Sequence, residues 1–187
     1  MDVSQLQMKL TLLVCVLLLS AFGEVRAGGA PRSDCEPLLP KRAAAEVFKT
    51  NIGWAMVELA DLTSDDRQIW EKSHGPKCPS VIKGNFDGSG RNQYAVLLTR
   101  RNRNPEIRLA HIAQLADGSN RITILFEGES ARLPVILKRP PGLYYAAGDK
   151  GNPIRITTDV IYLETIEAGV TAFYFADGKP MRLAISI

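Results

Sequence analysis

The segment that most constrains the fold is a run of turn-forming residues that leads directly into an apolar strand. Residues 85–90 read NFDGSG, a composition that favours positive φ and hydrogen bonds from side chains to the backbone. Residues 93–98 (QYAVLL) follow as a compact apolar run. The sequence therefore predicts a turn and then a strand, near the boundary between a helical N-terminal part (28–79) and a β-rich part (80–187).

Residues 1–27 have the pattern of a secretory signal peptide. A lysine precedes the apolar run Leu10–Phe22, and Val25-Arg26-Ala27 offers small residues at the cleavage positions. The apolar run is shorter than the ~20 residues that a membrane-spanning helix needs. We expect cleavage after Ala27 and a periplasmic or secreted mature chain, residues 28–187, with no membrane span.

The mature chain has the size and composition of one globular domain. Charged residues make up 23% and hydrophobic residues 45%, and the formal net charge of +3 is spread along the sequence. The densest basic run, residues 100–103 (RRNR), lies between strand-like segments without aromatic residues. We interpret it as a solvated loop rather than an anionic-ligand site, and we expect no nucleic-acid partner because a broad basic face is missing.

Two cysteines remain after Cys15 leaves with the signal peptide, namely Cys35 and Cys78. In an exported protein two cysteines usually pair. The alternatives are a catalytic thiol or a metal pair, but neither cysteine has a histidine at ligand spacing. We expect a disulfide that closes a long loop and stabilises the fold by about 4 kcal/mol.

The predicted fold class is α+β, with two short N-terminal helices packed on a mainly antiparallel sheet of about seven strands. The first helix is expected over Pro40–Asn51, with Ala44, Val47, Phe48 and Ile52 on its inner face, and the second over Asp65–Ser73, capped by Thr63 or Ser64. Alternating or compact apolar segments predict the strands: Tyr94–Thr99, Glu106–Leu115, Arg121–Glu127, Leu133–Lys138, Asp159–Thr165, Val170–Ala176 and Met181–Ile187, with shorter ones at Trp54–Leu59 and Leu143–Ala147.

The dipeptide Asp177-Gly178 is a strong signal for a two-residue hairpin. Pairing across it aligns three pairs on one face that we expect to be core: Tyr174 with Met181, Ala172 with Leu183, and Val170 with Ile185. Phe173 and Phe175 then point to the opposite face. That face is either a second covered face or an exposed aromatic patch.

The spacing of the 85–93 loop also suggests a calcium site. Oxygen ligands would come from the side chains of Asn85, Asp87 and Ser89, then from the carbonyl of Arg91 and the side chain of Gln93. Only one of these is a carboxylate, whereas calcium takes six to eight oxygens with enough negative charge to offset its dehydration. We therefore expect calcium to bind weakly or not at all, no other cofactor, and a structural role for the turn.

Residues 84–90 (GNFDGSG), followed by 93–98, resemble the Gly-Asp-Phe-Asp-Gly-Asp-Gly and Asp-Tyr-Ala pattern of FG-GAP or VCBS-type repeats. Such repeats form β-hairpin units, often calcium-bound, in cell-surface and exported proteins. With the segments 62–79 and 169–179, the chain is similar to a group of uncharacterised bacterial exported proteins that carry one such loop. It departs from the repeats at Asn85, Ser89 and Gln93, where they place aspartates.

Catalytic motifs are missing from the sequence. His74 and His111 are the only histidines, and we expect the first to cap a helix end and the second to lie on a sheet face. Two acidic pairs are conceivable as an acid and a base, and we interpret both as solvated carboxylates: Glu164 with Glu167, and Asp65 with Asp66.

These observations favour an exported, non-catalytic binding or interaction module that recognises an envelope protein or glycan. A more specific form of the hypothesis is an inhibitor or immunity protein that blocks a cell-envelope hydrolase, which rests on analogy with small disulfide-tied periplasmic proteins. The alternative is a hydrolase of an envelope polymer that uses acidic residues such as Glu164. Two carboxyl groups converging in one cleft would favour the enzyme.

Overall fold

A computed structural model of the protein describes residues 33–100, 105–149 and 151–185. The predicted signal peptide (1–27), residues 101–103 of the basic run and the last two residues of the final predicted strand lie outside these ranges. No helix within the described ranges has the length and apolar character needed to cross a membrane.

Helix α1 spans Lys41–Thr50 and buries Ala43, Ala44 and Val47. It ends at Asn51, whose backbone N–H and side-chain amide both donate to the carbonyl of Val47, at 3.0 and 2.7 Å. Ile52, which the helical spacing placed on the inner face, is 85% exposed. That prediction was wrong because the helix stops two residues before Ile52, and the 3.6-residue period no longer applies.

Helix α2 spans Ser64–His74, with Thr63 as its N-cap. The hydroxyl of Thr63 accepts the backbone N–H of Asp66 at 3.2 Å, a standard way to satisfy a free donor in the first turn. Trp70 is 3% exposed, and its indole N–H donates to the carbonyl of Lys77 at 2.8 Å. This bond ties the segment after the helix back against it.

The described residues form eleven strands in three sheets, in which all neighbours are antiparallel. The strands are β1 (Ala55–Met56), β2 (Val81–Gly84), β3 (Gln93–Arg100), β4 (Glu106–Gln114), β5 (Asn120–Glu129), β6 (Val135–Arg139), β7 (Gly142–Tyr144), β8 (Ile154–Ile156), β9 (Val160–Thr165), β10 (Gly169–Ala176) and β11 (Lys179–Ile185). The first sheet has the order β3–β4–β5, with β1 and β2 both paired to the other edge of β3. The second sheet is β11–β10–β9–β6, and β7 pairs with β8.

The α+β class is thus confirmed, but one sheet of about seven strands is not what forms. Strands β1, β2, β7 and β8 are two to four residues long. Such segments are too short to show the alternation from which strands are predicted. The expected strand Trp54–Leu59 contains only β1, followed by a 3-10 turn at Leu59–Asp61.

The two larger sheets stack face to face. Their shared core contains Ala95, Leu97, Ile107 and Leu109 from the first sheet and Ile136, Ile161, Leu163 and Phe173 from the second. Helix α1 covers the other face of the first sheet, where Val47 belongs to the same cluster as Val96 and Leu98 of β3. Because β3 is buried on both faces, its apolar run is nearly continuous rather than alternating.

The hairpin β7–β8 covers the outer face of the second sheet. Tyr144 and Ile154 pack there against a buried cluster that includes Ala172 and Tyr174. An isolated bridge between Ala146 and Ile185 joins the end of this hairpin to β11. The hairpin covers this face over β9 and β10, but Met181 of β11, on the face that was expected to be core, is 44% exposed.

The β10–β11 hairpin has the pairing that the Asp177-Gly178 signal predicts. Val170 pairs with Ile185, Ala172 with Leu183 and Tyr174 with Met181. Asp177 and Gly178 have φ values of 51° and 72°, the left-handed conformation that a two-residue turn of this kind requires. On the opposite face Phe173 is 2% exposed, its ring centroid 6.3 Å from that of Phe126. Of the two readings left open for Phe173, the covered face is the one observed.

One irregularity interrupts the pairing of β4 with β5. The register shifts between Leu109 and Ala110, which pair with Phe126 and Ile124 respectively, so that Leu125 is an extra residue in β5. Such a bulge bends the strand that carries it. Strand β5 forms an edge of the first sheet as far as the described residues extend.

Asp66 joins helix α2 to the segment between β5 and β6. Its carboxylate is 1% exposed and forms a two-point ion pair with the guanidinium of Arg132, in which Nε lies 2.7 Å from Oδ2. The hydroxyl of Thr63 also donates to Oδ2 at 2.8 Å. These hydrogen bonds, above all those from Arg132, lower the pKa of Asp66. Asp66 is therefore a buried structural group and not the solvated carboxylate that the sequence suggested.

Replacing Asp66 with alanine is expected to lower the free energy of unfolding by about 2 kcal/mol, because it leaves the Arg132 guanidinium without its partner and removes the bond to Thr63. Urea denaturation measures the change. The matched control is Asp65→Ala, in the same helical turn, where the carboxylate is exposed. Equal losses in the two variants would contradict a special role for the Asp66 pair.

Candidate functional site

The side-chain amide of Gln93 organises the loop in which calcium ligands were predicted. Gln93 is fully buried at the start of β3, and its Oε1 accepts the backbone N–H groups of Phe86 at 2.9 Å and Asp87 at 3.0 Å. Its Nε2 donates to Oδ1 of Asp87 and to Oγ of Ser89, the latter at 2.9 Å. The two backbone donors fix which amide atom is the oxygen, since only the oxygen accepts.

The remaining polar groups of the loop bond to one another. Oδ1 of Asn85 accepts the N–H of Gly90 at 3.0 Å, Oδ1 of Asp87 accepts the N–H of Ser89 at 2.8 Å, and Oγ of Ser89 accepts the N–H of Arg91 at 3.3 Å. Asp87 and Ser89, two of the ligands that a calcium spacing would use, thus converge on the amide N–H₂ group of Gln93. Asn85 instead closes the turn.

The loop is also attached to the segment before β9. Asp159 accepts the N–H of Asn85 on Oδ2 at 2.9 Å, and its own N–H donates to the carbonyl of Asn85 at 3.2 Å. Gly84 permits this approach, because an added Cβ would lie 2.7 Å from the ring of Phe86 and 3.0 Å from the Asp159 carboxylate. Sequence reasoning missed Asp159, since no local pattern links residues 74 positions apart.

Among the described residues, no group of three or more His, Cys, Asp or Glu side chains is placed to hold a metal ion. We expect the melting temperature to be the same in excess calcium and in chelator. Gln93→Glu should lower it, because a second carboxylate beside Asp87 repels the first, and excess calcium should then restore part of the loss. A rise with calcium in the wild-type protein that Asp87→Ala abolishes would show instead that the native loop binds the ion.

His111 completes the buried network. Its side chain is fully buried, and Nε2 lies 3.0 Å from Oε1 of Gln93, which only accepts, so Nε2 carries the proton. Nδ1 has no hydrogen-bond partner. The rings of Phe86 and Phe175 lie 6.0 and 4.7 Å away, centroid to centroid. As predicted His111 lies on a face of the sheet, but that face is buried between the two sheets.

Burial lowers the pKa of His111 to about 4, against a smaller upward effect of the Asp87 charge, while the charge on Arg121 lowers it further. For Asp87, burial by itself would raise the pKa. Hydrogen bonds from Ser89 and Gln93 outweigh that effect, and the net pKa of Asp87 is lowered. At neutral pH, His111 is therefore a neutral imidazole and Asp87 is an ionised carboxylate.

The stability of the protein is expected to fall between about pH 6.5 and about pH 4. The unfolded chain, in which histidine has its ordinary pKa near 6.5, binds more protons in this window than the folded chain, where the pKa is about 4. The stabilisation is thus complete above the window and is lost as the pH falls, by roughly 3 kcal/mol in total.

Urea unfolding across this pH range tests whether His111 causes the loss of stability. His111→Gln should flatten the dependence of the free energy of unfolding on pH. Equal slopes in the wild-type protein and His111→Gln would contradict that role.

The residues considered for catalysis are dispersed. His74 stacks on Trp70 with ring centroids 4.3 Å apart, and it lines a narrow cavity of about 70 Å³ between α2 and the second sheet, together with Glu164. Glu167 is exposed in the turn between β9 and β10, at a φ of 60°. Glu164 and Glu167, which the sequence analysis weighed as an acid–base pair and interpreted as solvated, therefore do not share this cavity.

The β7–β8 hairpin presents a surface that the sequence did not single out. Tyr144 packs inward against Tyr162, with ring centroids 6.1 Å apart, while Leu143 and Tyr145 on either side of it are 50% and 47% exposed. Arg155, also exposed, pairs with Leu143 across the hairpin. We call Leu143, Tyr145 and Arg155 the outer hairpin surface. The segment Leu143–Ala147 was predicted as a strand, but a short apolar run does not reveal which side chains face outward.

A scan against protein-family models, a search of curated proteins and a search of solved structures each find no match to the chain.

Proposed function

We propose that this protein is an exported, non-catalytic binding module that uses the outer hairpin surface to hold an envelope protein. The observation that carries the proposal is the half exposure of Leu143 and Tyr145 on a hairpin whose intervening residue, Tyr144, is anchored in a buried cluster. Tyrosine and arginine are enriched at the centres of protein interfaces, and a rigid backbone lowers the entropy cost of binding. The Cys35–Cys78 disulfide and the leader-like residues 1–27 support export.

A more specific form of the proposal is that the protein is an inhibitor or immunity protein for a cell-envelope hydrolase. We also propose that the 84–98 segment is related to FG-GAP or VCBS-type repeats. The resemblance is supported by the turn that leads into β3 and by the way Asp87 and Ser89 converge. In this protein the side-chain amide of Gln93 would bind the oxygens of Asp87 and Ser89, as the calcium ion does in such repeats.

The alternative of an envelope-polymer hydrolase built on Glu164 is less well supported. The cavity that Glu164 lines, about 70 Å³, is well below the ~300 Å³ at which small-molecule sites begin. It is lined mainly by apolar side chains, among them Ile69, Val135 and Ile166. A sugar ring with flanking carboxyl groups does not fit such a space.

The test is retention of a partner from envelope extract by the immobilised protein. The wild-type protein and Ile52→Ser, which changes an exposed apolar residue elsewhere, should retain the same protein. Tyr145→Ser and Leu143→Ser should reduce retention about tenfold or more, the effect of losing a central contact residue. Melting curves establish that all four proteins are folded.

Three results would count against the proposal: no specific partner in any extract, equal retention by all variants, or retention of a glycan in place of a protein. The last would keep the binding role but change the class of partner. A hydrolytic activity that Glu164→Gln abolishes would favour the enzyme instead.

A further inference from the structure

A larger concave region lies beside the disulfide. It is a cleft of about 390 Å³, within the size range of small-molecule sites, and its charged lining residues are Asp34, Glu58 and Lys77. Apolar side chains line the rest, including Leu38, Leu59 and Val81. A cleft with an apolar lining and a few charged groups is the usual form of a ligand site.

The two carboxylates come from neighbouring stretches of chain. The hydroxyl of Ser33 donates to the carboxylate of Glu58, and Sγ of Cys35 lies 3.6 Å from the carbonyl oxygen of Val57. Residues 33–35 therefore run alongside residues 57–58. This places Asp34 and Glu58 on the same wall of the cleft.

Lys77 enters the cleft from a different element. Its neighbour Cys78 is bonded to Cys35, with the two Cα atoms 5.2 Å apart, and the carbonyl of Lys77 accepts the indole N–H of Trp70 at 2.8 Å. The backbone at Lys77 is thus held on one side by α2 and on the other by the disulfide. The bridge brings a cationic side chain and an acidic pair to one apolar cleft.

We propose that this cleft binds a short zwitterionic peptide, a dipeptide with an apolar side chain. Its ammonium group would pair with Asp34 and Glu58, its terminal carboxylate with Lys77, and its side chain would cover Leu59 and Val81. Such a ligand satisfies both signs of charge and buries apolar surface. A simple amine leaves Lys77 without a counter-charge, and a simple carboxylate leaves the acidic pair without one. The proposal does not depend on the outer hairpin surface.

The experiment uses the full exported protein and the dipeptide alanyl-leucine, with binding followed by NMR chemical shifts at neutral pH. We expect saturable shifts at residues around the cleft. N-acetylation or C-amidation of the peptide should each weaken binding about tenfold, since each removes one charge-assisted contact.

Two variants assign the ends of the ligand. Lys77→Gln should weaken binding of the free dipeptide about tenfold and leave the C-amidated form unaffected, because that form has no carboxylate. Asp34→Asn should do the same for the free dipeptide and leave the N-acetylated form unaffected. Lys72→Gln, an exposed lysine on α2, is the matched control.

The proposal is overturned if alanyl-leucine produces no saturable shifts, or if the capped and free peptides bind equally, which would reveal an apolar cleft without charge recognition. It is also overturned if Lys72→Gln and Lys77→Gln have the same effect. The side chains of Asp34, Lys72 and Lys77 are all exposed, so the three variants are expected to fold.

Discussion

Gln93→Ala should lower the free energy of unfolding by about 3–5 kcal/mol, because its fully buried amide serves five hydrogen-bonding groups. Removing it leaves the N–H groups of Phe86 and Asp87 without an acceptor. The Asp87 carboxylate and the Ser89 hydroxyl lose a donor, and His111 loses its acceptor. Each buried polar group left unpaired costs about 1–3 kcal/mol before relaxation.

Urea denaturation of purified protein measures the loss. Gln114→Ala is the control, since Gln114 is the same residue type at the exposed end of β4. We expect its effect to remain within about 0.5 kcal/mol. A loss for Gln93→Ala as small as that for Gln114→Ala would show that the loop holds its shape without the amide.

Removing the Cys35–Cys78 bridge should lower the free energy of unfolding by about 4 kcal/mol, the chain-entropy value for a sequence separation of 43 residues. Cys35 is fully buried in the cluster beneath α1, so a serine there would add a desolvation cost. Reduction of the wild-type protein therefore measures the bridge more cleanly than substitution does.

The measurement compares denaturation midpoints with and without reductant, beside a count of free thiols in exported material. The double variant Cys35→Ala/Cys78→Ala should show no response to reductant. Two free thiols in folded, exported protein with an unchanged midpoint would contradict the bridge as a source of stability.

What the sequence predicts well here is local. The turn at Asp177-Gly178 fixes both the hairpin and its register, because a two-residue loop allows a single alignment of the strands that follow. The helix start at Thr63 is equally local, as it depends on a side chain that reaches the N–H three residues ahead.

The sequence does not reveal which hydrogen-bond or ion-pair partner each polar group has in the folded protein. The spacing of Asn85, Asp87 and Ser89 is that of three oxygens around a cation, whereas only Asp87 and Ser89 meet, on the side-chain amide of Gln93 that β3 places between them. In the same way Asp65 and Asp66 are alike in the sequence, but Asp66 is buried and paired with Arg132, which lies 66 residues away in the chain.

The bulge in β5 has a consequence for the solubility of the chain. A ten-residue edge strand with an ITILF run is a ready template for strand addition by a second molecule and hence for aggregation. The extra residue Leu125 bends that strand, and the exposed carboxylate of Glu127, held by Arg108, stands next to the apolar run. At the edge of the second sheet, β11 begins with Lys179 and Pro180, the latter without an N–H to donate. The two edge strands β5 and β11 thus carry features that oppose pairing with a second molecule while keeping the pairing within the chain.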